Sequence, residues 1–321
     1  MKSKPRHFDE FGQNRLLSRL NRSFSLLIPN LLKLPPSWSG EESGEFKTHL
    51  SVVNNLGLTL LSLGGVVAAL LAMVLAVKTD QSALFFIGIG ILPAVFLVQY
   101  ILGLFCAANL NLSFGPPIQL VSRLLPEVIT VFGFLAFVAL AFTGLVATVD
   151  SFGESLQQGL LMLSGGLAAT VLAGLCAWVA ANSEKLLNLS VEPDQRQGPA
   201  DYLFSVILYL GRYLLILVPY QFLLAMVLGT FGLLYLGVSM LLRDGSSVDP
   251  MEALFLLSVF GGNILQIIGA LLSPIFAHFL YLVIVSLADI GTAFFRLVKG
   301  TERIAGLSEE AMSENFGDEG E

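Results

Sequence analysis

Six long apolar stretches divide the chain, at 51–77, 83–110, 128–148, 158–181, 203–242 and 253–298, with short polar connections between them. Runs of this length mark membrane-crossing helices, and their Gly, Ala, Leu and Val content suits helices packed closely on one another. The pattern predicts an all-α fold, a polytopic membrane helix bundle. The first four stretches have single-span length. The last two hold 40 and 46 residues, about 60 and 69 Å of helix against a hydrocarbon core of about 30 Å.

Each long stretch contains a proline, Pro219 or Pro274, with no polar turn beside it. A tight hairpin inside the membrane would leave backbone groups unsatisfied there, so each stretch reads as one span plus one surface segment. Residues 203–218 then lie at the interface before a span at 220–242, and a span at 253–273 precedes an interfacial segment at 275–298. Eight spans, with re-entrant breaks at the two prolines, are the alternative.

A repeat supports the six-span division. Residues 118–126 and 208–219 each place an arginine, Arg123 or Arg212, shortly before a proline that opens a span. Both even-numbered inner ends reach Asn-Leu-Ser, at Asn111 and Asn188. The expected organisation is six transmembrane helices as three hairpins, with cytoplasmic-side interfacial amphipathic helices that include 118–126.

Before the bundle, residues 1–50 form an expected cytoplasmic segment. Its stretch 11–28 is amphipathic, with Leu16, Leu20, Phe24 and Leu27 on one helical face and Arg15, Arg19 and Arg22 on another. This is the pattern of a helix lying in a leaflet, its arginines contacting lipid headgroups. Pro35-Pro36 and the polar run after them read as a linker. The bundle occupies 51–300, and 301–321 reads as an acidic, disordered tail.

Charge converts this pattern into an orientation. Only 13% of residues are charged and the mean hydropathy is +0.78, whereas soluble domains carry about 25% charged residues. The net charge of −7 conceals an asymmetry. With six spans, fifteen of the 17 Lys and Arg residues fall on the side of both termini and only Lys78 and Arg243 on the other, which makes both termini cytoplasmic. A plasma or bacterial inner membrane is the expected location. The apolar run begins too far along for a cleavable signal peptide, and the outer connections are too short for a domain or lid.

Candidate chemistry is sparse. The two cysteines, Cys106 and Cys176, sit in separate apolar runs and have no metal-binding spacing, so neither a metal site nor a cofactor is expected. The chain has no phosphate-binding GxxxxGK[ST], no HExxH and no GxSxG. Gly237-Val238-Ser239 and Ala277-His278 carry the residue types of an intramembrane serine protease, but in a six-span arrangement Ser239 lies at the outer end of its span while His278 is about 39 Å of helix beyond the outer turn.

Polar residues within spans are costly in hydrocarbon and point either to a pathway or to interhelical hydrogen bonds. Gln99, Asn263 and Gln266 are the candidates for such a lining or for such contacts. Arg212 and Asp289, the charges deep in the two long stretches, are a candidate ion pair. Small-residue faces at Gly64-x-x-x-Ala68, Gly65-x-x-x-Ala69, Gly165-x-x-x-Ala169 and Thr170-x-x-x-Gly174 suit close helix packing.

These features favour a non-enzymatic integral membrane protein, a scaffold or accessory subunit of a membrane assembly that binds membrane lipids or partner subunits at its cytoplasmic face, with a homo-oligomer among the candidate assemblies and no role for nucleic acid. The alternative is a small transporter or channel with a weakly polar path between hairpins. A membrane-embedded enzyme acting on lipid is a third class, for which no nucleophile or metal site can be assembled.

Overall fold

A computed structural model of the chain describes residues 43–120, 122–154, 156–191, 199–241 and 250–317. These residues are almost all helical: α1 (Ser43–Thr79), α2 (Ser82–Ser113), α3 (Leu124–Glu154), α4 (Leu156–Ala181), α5 (Ser183–Leu186), α6 (Pro199–Leu241) and α7 (Pro250–Gly317). Two short strands, β1 (Ile118–Leu120) and β2 (Leu189–Val191), complete the described elements. Six helices are long and apolar enough to cross a membrane, so the chain is a multi-pass membrane protein. The amphipathic stretch 11–28, with Arg15, Arg19 and Arg22, lies outside the described residues.

The chain forms two compact units, Leu124–Leu186 and Ser43–Arg123 with Leu187–Glu321. In the larger unit α1 packs on α2 and α6, and α6 packs on α7. Its core joins Leu61, Leu75, Leu102, Phe222, Leu233 and Ile267 from all four helices. The small-residue faces of α1 bring its neighbours close. A side chain at Gly64 would meet the Thr230 hydroxyl of α6 at 2.8 Å, and one at Gly65 would meet the Val95 side chain of α2. Adjacent faces of one helix thus serve two different partners.

In the smaller unit α3 and α4 pack along their length. Gly144 and Gly166 touch through their backbones, where an added Cβ on either would lie 3.3–3.4 Å from the other's Cα. Gly174 packs beneath the Phe137 ring, whereas Gly165 faces open space. The close face of α4 is therefore the one carrying Gly166 and Gly174, offset by one residue from the expected Gly165 face.

Four expectations are corrected. Neither long stretch breaks at its proline: α6 and α7 are continuous through Pro219 and Pro274, so 203–218 and 275–298 are not separate helices. Tyr209, Arg212, Tyr213, Leu215, Ile216 and Val218, just before Pro219, are all buried, so packing on neighbouring elements holds the helix through the proline. At Pro274 the ring removes the N–H that would bond to the Ala270 carbonyl, and Ser273 Oγ donates to that carbonyl at 2.8 Å instead.

Residues 118–126 are not an interfacial helix. Ile118–Leu120 pair in parallel with Leu189–Val191, and α3 starts at Leu124. The acidic end is also different, because α7 runs on to Gly317. Glu302-Arg303-Ile304-Ala305 and Glu309-Glu310-Ala311-Met312 are rich in good helix formers, and a helix already nucleated upstream extends at low cost. Finally, α1 begins at Ser43, inside the segment expected to precede the bundle.

Candidate functional site

Polar groups of the larger unit gather where the end of α2, the two strands and the middle parts of α6 and α7 meet. Asn109 is buried near the end of α2. Its Nδ2 donates to the Pro274 carbonyl on α7 at 2.8 Å, and its Oδ1 lies 2.9 Å from His278 Nδ1. The first bond fixes the orientation of the amide, because a carbonyl accepts only from a donor. Oδ1 must then face the histidine, and Nδ1 carries the proton. The imidazole rests edge-on against Phe105, with ring centroids 5.3 Å apart.

Two residues further along, Lys47 Nζ donates to Asn111 Oδ1 at 3.1 Å and so joins the start of α1 to the end of α2. The chain then leaves α2 through Phe114-Gly115-Pro116-Pro117 into β1. A turn through Asn188, with a positive φ of 52°, leads into β2. The left-handed backbone is tolerated by asparagine better than by most residues. The Ile118 amide donates to the Asn188 carbonyl at 3.1 Å and brings the two turns side by side.

Arg212 of α6 lies beneath these turns. It is 4% exposed, its Nη1 donates to the Leu187 carbonyl at 3.2 Å, and its Nε is buried without a partner. Gly115 makes room for the guanidinium: a Cβ there would come within 2.8 Å of Nη2.

The expected Arg212–Asp289 pair is not formed. Asp289 is exposed on α7 while Arg212 is buried, and no ion pair within 4.0 Å involves either among the described residues. Because the first half of α6 is packed on several sides, the Arg212 guanidinium points to the strand turns and not along α7.

Gln99, Asn263 and Gln266 find three separate surroundings. Gln99 Oε1 accepts from Ser62 Oγ at 2.7 Å, an α1–α2 hydrogen bond. Asn263 donates to the Val259 carbonyl of its own helix at 2.9 Å and packs over Gly232 of α6. Gln266 is exposed. They therefore do not line one surface together. Ser239 and His278 are likewise engaged separately, since Ser239 Oγ donates to the Leu236 carbonyl at 2.8 Å. The smaller unit holds an apolar cleft of about 240 Å³ between Gly144, Thr148, Gly166 and Thr170, and Thr148 Oγ1 turns back to the Gly144 carbonyl.

No group of three or more His, Cys, Asp or Glu side chains positioned for a metal occurs among the described residues. The sequence reading missed Asn109 as a junction. Its one signal was the Ala-Ala-Asn shared by 107–109 and 180–182, which marks a helix end without revealing what the asparagine touches. Comparison with protein-family models, with curated proteins and with solved structures returned no match.

Proposed function

We propose that this chain is a non-enzymatic scaffold or accessory subunit of a membrane assembly, which binds lipids or partner proteins at its cytoplasmic face. In this reading the six spans form three hairpins in a plasma or bacterial inner membrane, and both termini are cytoplasmic by the distribution of Lys and Arg. The amphipathic stretch 11–28 adds an interfacial anchor.

The observation that carries this reading is how the polar side chains of the larger unit are used. Ser62 serves Gln99, Asn109 serves Pro274 and His278, and Lys47 serves Asn111. Such groups hold helices together, and among the described residues they do not share one polar lining. Each unit exposes apolar surface of its own, Phe132, Phe142, Leu145 and Val149 on α3 of the smaller and Phe276, Leu282 and Ile290 on α7 of the larger, and such surface suits acyl chains or other subunits.

Purification from native membranes in a mild detergent, followed by native mass spectrometry, tests the proposal. The expected result is a particle that retains lipid or another subunit. A bare monomer, together with solute flux in reconstituted vesicles that is lost in Asn263→Leu, would replace it with the transporter reading.

A further inference from the structure

Arg212 is the only charged side chain buried among the described residues. Burying an unpaired guanidinium costs several kcal/mol, and a single bond to a neutral carbonyl offsets a small part of that. Nη1 takes that bond, with Leu187, which leaves the Nε–Nη2 edge without an acceptor among the described residues. This edge offers two parallel N–H donors, the fork that matches two oxygens of a phosphate.

Two turns cover this edge and are tied to each other, Asn188 Nδ2 donating to the Gly115 carbonyl at 3.5 Å. Gly115 stands against Nη2 and has no side chain to close it off. Gly115 is half-buried, while Pro116 and Asn188 beside it are exposed, so the guanidinium lies one residue beneath the surface. Its depth also fits a lipid headgroup. Lys78 Nζ donates to the Met240 carbonyl at 2.9 Å and marks one end of the α6 span. A hydrocarbon core of about 30 Å takes about 20 residues of helix from there, which ends near Tyr220. Arg212 is about 12 Å further on, at the inner edge of the headgroup layer.

We propose that the Nε–Nη2 edge of Arg212 binds a phosphate group, either the phosphodiester of an anionic lipid or free phosphate, which takes the place of the long Asn188–Gly115 hydrogen bond as the two turns part. The proposal deepens the reading of the inner face as a binding surface and rests on it. A phosphate there supplies the counter-charge that the buried cation lacks, and ties the two strand turns to α6.

The test uses the full-length protein in an uncharged detergent, titrated with inorganic phosphate or with short-chain phosphatidylglycerol while thermal unfolding is followed. Wild type should be stabilised by at least one of them, and Arg212→Lys should bind about tenfold more weakly because it loses the fork. A greater effect of phosphatidylglycerol at equal concentration assigns the lipid, and an equal or greater effect of inorganic phosphate assigns the free ion. The amount of phosphatidylglycerol retained in native mass spectra is the second readout, and it should be lower for Arg212→Lys than for wild type.

No stabilisation of wild type, or an unchanged response in Arg212→Lys, overturns the site. So does a Glu192→Gln, Asp194→Asn double variant that is destabilised and binds phosphate more tightly, because the chain's own carboxylates would then be the counter-charge. In either case retention of lipid or subunits elsewhere leaves the proposed function standing.

Discussion

His278 Nδ1 donates to Asn109 Oδ1 across 2.9 Å, joining α2 to α7 at the turn of helix interrupted by Pro274. Asn109 is simultaneously committed to the Pro274 carbonyl, so one buried side chain bridges both ends of that turn. Replacing it leaves the imidazole N–H without its acceptor. Asn109→Leu should lower stability by about 1–3 kcal/mol, measured by unfolding in mixed micelles. In labelled wild type, ¹⁵N spectra of His278 should show the proton on Nδ1; an Nδ1 resonance of the unprotonated type would mean that the asparagine amide is turned the other way.

Ser62 and Gln99 form the clearest hydrogen bond between α1 and α2. A double-mutant cycle with Ser62→Ala and Gln99→Leu should give a coupling of about 0.6 kcal/mol, with about 1.7 as the upper end for such pairs in membranes. Additive single effects would mean that the two side chains do not meet. The same cycle addresses the transport alternative, since a Gln99 that lines a path has no reason to couple to Ser62.

Gly88 and Gly90 lie in the same turn of α2 and should respond oppositely to alanine. A Cβ at Gly88 would come within 2.8 Å of the Ala69 carbonyl, a backbone atom that cannot step aside, whereas Gly90 has nothing within 4 Å. Gly88→Ala should cost about 1–3 kcal/mol by overpacking. Gly90→Ala should be neutral, or stabilising by up to about 1 kcal/mol through helix propensity. Equal effects at the two sites would place the α1–α2 contact elsewhere.

The proposed orientation makes a prediction about access. In a protein with Cys106 and Cys176 replaced by alanine, Gln81→Cys should react with an impermeant maleimide added to intact cells. Gln119→Cys, exposed on β1, should react only after the membrane is opened. Labelling of both from one side would contradict an odd number of crossings between them.

Much of the fold was legible because bilayer thickness acts on each span separately. The six apolar helices follow from length and composition alone, as do the small-residue faces of α1. What failed was nonlocal. Pro219 and Pro274 read as breaks because a proline removes a local hydrogen bond, but Ser273 meets the freed carbonyl at Ala270, and packing on neighbouring helices holds the rest. The β1–β2 pair was invisible for a similar reason: Ile118–Leu120 and Leu189–Val191 are three residues each, too short for a period to show. At the site, Arg212 was singled out by its cost, yet its neighbours depend on two turns far apart in sequence. Asp289 looked like its partner only because it was the other charge in an apolar run.

The most direct measurement of the scaffold role is cross-linking mass spectrometry on native membranes with an amine-reactive reagent. Lys2, Lys4 and Lys33 lie in the amino-terminal segment, and Lys185 lies between α4 and β2. The expected result is cross-links from these lysines to one or a few other membrane proteins, or to a second copy of the chain, all from the cytoplasmic side. Cross-links confined to a single copy, together with a purified monomer that carries no lipid, would contradict it.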